Sequence, residues 1–275
     1  MNVLRESAAV IFALVAMSAA AQADDASPWA DDVNSSLRLI GGGNGGDDTL
    51  QAGVEIKLKP GWHTYWRYPG DSGVPPRFSF PGSQNVAAVK VSYPAPKAIL
   101  DETGTTIGYT DDVVFPLRVT RREKGKPATL HVHVEYAVCE KVCVPVEAKA
   151  ELKLPSGNTE TEAALAAAQA QVPKLVSAAE AGLKVRRVND AAKPLVAVDV
   201  AAPQGEPLQL FVEGPTSEWA LPIPKPAQGA PPGHQHFGFE LDGLPPGVSP
   251  KGPFELTFTI IRGKQPPIEV KTRLD

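Results

Sequence analysis

"TLHVHVEYAVCEKVCVP", residues 129–145, decides the fold. Leu130, Val132, Val134, Tyr136 and Val138 stand at alternate positions, with His131, His133 and Glu135 between them. Residues i and i+2 share a face only in an extended chain, so the pattern specifies a strand with one side buried. The same alternation appears upstream in "LQAGVEIKLKP" (50–60). There Leu50, Ala52, Val54, Ile56 and Leu58 oppose Gln51, Glu55, Lys57 and Lys59. It returns in "AKAELKLP" (148–155) and, less regularly, in "VVFPLRVT" (113–120) and "VAAVKVSY" (86–93). Turn clusters such as "YPGDSGVPP" (68–76) separate these runs, as in an antiparallel sandwich.

Residues 156–172, "SGNTETEAALAAAQAQV", break the rhythm. They are alanine-rich and favour helix. Thr159 followed by Glu162 fits a capping box, and Pro173 ends the helix or follows it. Strand patterns resume in "GLKVRRV", "PLVAVDVA", "LQLFVEG", "HFGFELDG", "FELTFTIIRG" and "IEVKTRL". The expected organisation is all-β: a sandwich at 24–155, a helical linker at 156–174 and a second, smaller sandwich at 175–275.

The N-terminus sets the compartment. Arg5, a short apolar run and "AQA" ending at Ala23 follow the order of a secretory signal peptide, and the run is short for a membrane span. Residues 1–23 are expected to be removed, leaving an exported chain with no transmembrane segment, in which disulfides can persist. The net charge of −4 is spread over both signs, which gives no footprint for nucleic acid.

Three motifs compete for chemistry. "GGGNGG" (41–46) matches G-x-G-x-x-G, but Asp47 and Asp48 follow and no helix does. A flexible hairpin loop is the expectation there. His131 and His133 precede the cysteines, yet at about 3.3 Å per strand residue His133 and Cys139 stand roughly 20 Å apart, too far for shared zinc ligation. These histidines, like His234 and His236, are expected to face solvent. Neither a metal nor a cofactor is expected. "GWHTYWRYPGDSGVPP" (61–76) concentrates Trp62, His63, Tyr65, Trp66 and Tyr68, which suits either a core plug or a recognition surface with His63 and Asp71 as polar contacts.

Cys139 and Cys143 are the only cysteines in the chain. A disulfide across so short a loop constrains the unfolded chain by roughly 2 kcal/mol, against about 4.7 for a hundred-residue loop. The pair is therefore a poor staple and a reasonable redox couple, since either thiolate can reach a mixed disulfide formed by the other. Lys141 favours a thiolate and Glu140 opposes it, while Val138, Val142 and Val144 are expected to surround the sulfurs. A structural disulfide in a binding or assembly module, and copper or zinc handling, remain the alternatives.

"PGWHTYWRYPGDSGVPP" (60–76), "SYPAP" (92–96), "GYTDDVVFPL" (108–117) and "YAVCEKVCVP" (136–145) occur in an order that resembles the periplasmic N-terminal region of DsbD/ScsB-type thiol:disulfide interchange proteins, the ScsB-like branch above all. The resemblance covers roughly 35–155 well and the second half loosely. It implies an immunoglobulin-like sandwich whose redox-active pair is Cys139 and Cys143, joined as a disulfide when oxidised. It also implies a reductant, either a thioredoxin-like protein or a membrane electron carrier, and an acceptor, an exported protein with oxidised cysteines. Trp62, His63, Tyr65, Trp66, Asp71, Tyr109 and Tyr136 are the expected partner-binding or shielding residues. No membrane carrier and no C-x-x-C domain appear in this sequence, so separate partners are expected to complete the relay.

Overall fold

A computed structural model describes residues 24–46, 48–70, 73–101, 104–188 and 194–275. The expected signal peptide and Asp71 lie outside the described residues.

The chain first forms β1 (Ala30–Asp31), β2 (Ser35–Asn44), β3 (Thr49–Leu58), β4 (His63–Gly70), β5 (Arg77–Ser79) and β6 (Val86–Val91). It continues with β7 (Lys97–Asp101), β8 (Gly104–Tyr109), β9 (Val113–Arg121), β10 (Ala128–Cys139) and β11 (Cys143–Leu154). These pair antiparallel into two sheets, in the orders β1-β2-β3-β9-β6 and β11-β10-β4-β8-β7, with β5 alongside β10. The alternating residues of β3 and β10 form the contact between the sheets. Leu50, Val54, Ile56, Leu130, Val134 and Val138 are completely buried and belong to one cluster with Leu37, Leu39, Phe115 and Val119. This is an all-β, immunoglobulin-like sandwich.

Gly41, Gly42 and Gly43 lie inside β2 rather than in a flexible loop. The reason is α1 (Thr159–Ala170), which lies across the outer face of this sheet. A Cβ on Gly42 would stand 2.8 Å from the Leu165 side chain, and one on Gly53 would stand 2.7 Å from it. The glycines open a slot that Leu165 fills. The capping box uses Asn158 and Thr161, not Thr159 and Glu162. Asn158 accepts from the Thr161 amide, and the Thr161 hydroxyl accepts from the Asn158 amide. Starting one residue earlier gives the cap a carboxamide oxygen that reaches two amides, of Glu160 and Thr161.

After Pro173 the chain forms β12 (Lys174–Val176), α2 (Ala178–Ala181), β13 (Leu183–Val188), β14 (Leu195–Ala201) and β15 (Leu208–Glu213). Then follow β16 (Lys225–Pro226), β17 (His234–Glu240), β18 (Phe254–Arg262) and β19 (Ile268–Leu274). Two four-stranded sheets result, β12-β19-β18-β15 and β13-β14-β17-β16, antiparallel except where β12 runs parallel to β19. They enclose a separate core of Val196, Val198, Phe237, Phe239, Leu256, Phe258 and neighbours. His236 does not face solvent. It pairs across the ladder with Asp199, Nδ1 to Oδ1 2.5 Å, and both side chains are mostly covered.

Apolar side chains of the second half reach the first. Phe211 of β15 is buried in the first core, its ring 6.0 Å from that of Trp66, and Ile223 and Ile261 pack against the same cluster. Among the described residues, no helix is long and apolar enough to cross a membrane.

Candidate functional site: the cysteine pair

The long strand β10 runs without a break through Val138 and ends at Cys139. Successive side chains alternate, so Val138 points into the main core and Cys139 points to the other side of the sheet. There Cys139 forms a small apolar cluster with Tyr65 and Ala137. The chain turns through Glu140, Lys141 and Val142 and starts back as β11, which sets Cys143 directly opposite Cys139. The two sulfurs are bonded, at 1.99 Å.

The sulfurs differ in access. Cys139 is 2% exposed, whereas Cys143 is exposed, as are Glu140, Lys141 and Val142 around it. The valines do not enclose the sulfurs as the sequence suggests. Val138 is on the core side, Val144 packs against the main core, and Val142 is 69% exposed.

What covers Cys139 is β4. His63 stands opposite Cys139 in the ladder and Thr64 opposite Val138, with the Thr64 hydroxyl donating to the Ala137 carbonyl at 2.8 Å. Tyr65 follows, and its ring lies against the sulfurs. Its hydroxyl is 2.7 Å from Cys139 Sγ and 3.1 Å from Cys143 Sγ. The His63 ring meets the Tyr65 ring edge-on, centroids 5.6 Å apart. Gly73 packs closely against that ring, since a Cβ there would fall 2.3 Å from Tyr65. With φ at +136°, this position suits glycine on backbone grounds as well.

The arrangement has a chemical consequence. A disulfide sulfur is a weak acceptor, whereas a thiolate is a strong one. A phenolic O–H held at both sulfurs therefore favours whichever sulfur carries negative charge, most of all the nearer Cys139.

The structure brings His63 and Tyr65 to the cysteines and sends the other aromatics elsewhere. Trp62 is half-buried against the main core. Trp66 is fully buried beside Phe211. Tyr109 is a core residue whose hydroxyl donates to the Pro94 carbonyl at 2.8 Å, with its ring edge-on to Phe115. Tyr136 is on the core side of β10, its hydroxyl 2.8 Å from Ser35 Oγ. For Tyr109 and Tyr136 the expectation of a shielding role gives way to strand geometry, because both lie on inward faces. His131 and His133 project from the outer side of β10 toward glutamates of β11, with His133 Nε2 2.9 Å from Glu147 Oε1 and His131 Nε2 3.7 Å from Glu151 Oε2.

Sequence reasoning missed Arg67. It reaches out of β4 to two carboxylates of the second half of the chain, Glu213 at 2.7 Å and Glu269 at 2.5 Å. The local signal was a lone arginine among aromatics, and nothing in the sequence pairs it with residues some 150 and 200 positions away.

Residues 44–155 match the family described as "Thiol:disulfide interchange protein DsbD, N-terminal". Among solved structures, the chain is similar to the N-terminal periplasmic domain of ScsB from Proteus mirabilis. Identity is 20%, the TM-score is 0.71, and the match covers 91% of this chain and 98% of that one. No curated protein sequence matches the chain significantly. Residues 44–155 are thus similar to the DsbD N-terminal family, and the fold of the chain, second half included, is shared with the ScsB structure.

Proposed function

We propose that this DsbD/ScsB-type domain is a periplasmic thiol–disulfide exchange module that passes reducing equivalents through Cys139 and Cys143, the second sandwich at 175–275 being its companion domain. The observation that carries the reading is the unequal access of two bonded sulfurs under one tyrosine hydroxyl: Cys143 is exposed, Cys139 is buried, and the O–H is closest to Cys139.

On loading, a thiolate of the reductant attacks Cys143 Sγ, the sulfur it can reach. The Cys139–Cys143 bond breaks, its electron pair leaves on Cys139, and the Tyr65 hydroxyl donates to the departing thiolate. A leaving group stabilised in this way leaves faster. The reductant's second thiolate then attacks its own sulfur in the mixed disulfide. Cys143 is released as a thiolate, and the reductant becomes a disulfide. Two electrons have moved and both cysteines are reduced. Delivery runs the same steps in reverse. The Cys143 thiolate attacks the disulfide of an exported protein, and Cys139 resolves the mixed disulfide. Two of the expected partner contacts, His63 and Tyr65, support this reading by adjoining the pair.

The test uses single-cysteine variants of the full chain and a thioredoxin-like protein lacking its resolving cysteine. With that protein activated as a mixed disulfide with a chromogenic thiol, Cys139→Ser is expected to form a stable covalent complex through Cys143. Cys143→Ser is expected to react at least tenfold more slowly. A reduction potential below about −300 mV, with no exchange between the wild-type protein and the thioredoxin-like protein, would mark a structural bond and overturn the reading.

A further inference from the structure

The strand that carries Tyr65 is irregular just where it leaves the cysteines. β4 pairs with β8 at Tyr65 and Gly108, and next at Gly70 and Thr106, so five steps along β4 stand against two along β8. On the other side its described pairing with β10 ends at Thr64. Residues 66–69 therefore have no register partner in either neighbouring strand among the described pairings. Such bulges re-aim side chains and disrupt the ladder locally, so any constraint on these residues comes from outside it.

That constraint comes from the second sandwich, at three consecutive residues. Trp66 packs on Phe211. The Arg67 guanidinium binds Glu213 through two nitrogens, Nε to Oε1 at 2.9 Å and Nη2 to Oε2 at 2.7 Å, and its Nη2 also reaches Glu269 Oε2 at 2.5 Å. The Tyr68 hydroxyl donates to the Leu221 carbonyl at 2.6 Å. Glu213 ends β15 and Glu269 lies in β19, strands of one sheet joined through β18, so the two carboxylates are fixed relative to each other. Bidentate pairing fixes orientation as well as distance. Burial alone would lower the pKa of Arg67, but hydrogen bonds and charge from Glu213 and then Glu269 outweigh it and raise it above the ordinary value.

We infer that the second sandwich holds the Tyr65 hydroxyl on the sulfurs, with Arg67 as the positioning residue, and so sets how readily the cysteine pair is reduced. Tyr65 is the last residue of β4 in register with β8 before the bulge, one peptide from the first anchored residue. A shift in 66–68 is passed directly to the ring. The companion domain is then part of the redox site without touching either sulfur.

This inference rests on Cys139 and Cys143 being a working couple, but its test needs no protein partner. The full chain is equilibrated with reduced and oxidised glutathione, and thiols are trapped and counted. Glu213→Gln and Glu269→Gln combined keep the shape of the interface and remove its charge. The expected result is a shift of the equilibrium toward the disulfide by about three- to tenfold, the range of one lost hydrogen bond. Arg67→Met is expected to do the same, and Arg67→Lys to recover part of it. In a Tyr65→Phe background the same substitutions are expected to move the equilibrium less than twofold, because the hydroxyl they position is gone. Urea unfolding of each variant is measured alongside. A merely structural bridge would lower stability and leave the glutathione equilibrium of the wild-type background within twofold, and that outcome would overturn the inference. An equal shift in both backgrounds would overturn it too. Failure of the wild-type chain to exchange with a thioredoxin-like protein would instead count against the shuttle.

Discussion

Replacing Tyr65 by phenylalanine removes one oxygen atom from the cysteine site and leaves the ring that covers it. The hydroxyl stands 2.7 Å and 3.1 Å from the two sulfurs, inside the apolar cluster with Ala137. A hydrogen bond to a charged group contributes about 1.5–3 kcal/mol. The lower end applies here, because sulfur spreads its charge and Cys143 is open to water. Loss of about 1.5 kcal/mol falls on the reduced, ionised state, since the disulfide is a weak acceptor. For a two-electron couple about 1.4 kcal/mol corresponds to 30 mV. The potential of Tyr65→Phe is therefore expected to lie about 30 mV more negative than wild type at pH 8.5, read from the glutathione equilibrium. At lower pH the reduced form becomes a dithiol, which the hydroxyl favours much less, so the difference is expected to shrink toward pH 6. A change smaller than about 10 mV at pH 8.5, or a shift to a more positive potential, would refute the assignment of the hydroxyl to thiolate stabilisation.

Two further outcomes follow from the scaffold. Leu165→Ala empties the slot over Gly42 and Gly53 and is expected to lower stability by about 2–5 kcal/mol in urea unfolding, with the glutathione equilibrium unchanged because the helix lies on the opposite sheet. A loss below 1 kcal/mol would mean that the slot closes without the leucine. The tyrosines Tyr93, Tyr109 and Tyr136 have pKa values raised by burial, Tyr109 most strongly. A phenol that ionises later in the folded state contributes stability that is full below the unfolded value, about pH 10, and is lost as pH rises above it. Between pH 9 and pH 11 the unfolding midpoint is expected to fall less in Tyr109→Phe than in wild type, and equal falls would exclude this contribution.

How much of this was legible depended on the range of the determining contact. The inward faces of β3 and β10 could be read residue by residue, because alternation is a local property of an extended chain. The glycines at 41–43 could not. In sequence they look like a loop, and only Ser156, Leu165 and Glu162, more than a hundred residues downstream, make the lack of a Cβ at Gly41, Gly42 and Gly43 a packing feature. The aromatic run at 62–68 was legible as a concentration but not as a division of labour. Period-two alternation puts His63 and Tyr65 on one side and Trp66 on the other. The bulge after Tyr65, and the carboxylates that take up Arg67, belong to pairings that no local pattern encodes. Tyr109 and Tyr136, whose hydroxyls meet a backbone carbonyl and a serine, are indistinguishable in sequence from a tyrosine that meets a sulfur.

The roles of the two cysteines illustrate the same limit at the site itself. Within "CEKVC" the flanking charges oppose each other, and neither sulfur is favoured. The difference arises one level up. Cys139 is the last residue of a twelve-residue strand whose even-numbered positions are committed to the core, so its side chain must point to the outer side of the sheet. An outward side chain would ordinarily be exposed. It is buried because His63 lies beside it in the ladder and Tyr65 closes over it, and these residues come from the aromatic segment some 70 positions earlier. Cys143, four residues past the end of that strand, has no such cover. Burial of one sulfur and exposure of the other is thus a product of strand parity and of β4, and β4 beyond Tyr65 is held by Glu213, Glu269 and Leu221. A five-residue motif acquires its asymmetry from the first sandwich and its rigidity from the second. A truncated chain ending at residue 155 would therefore keep the disulfide yet lose the contacts that hold its cover.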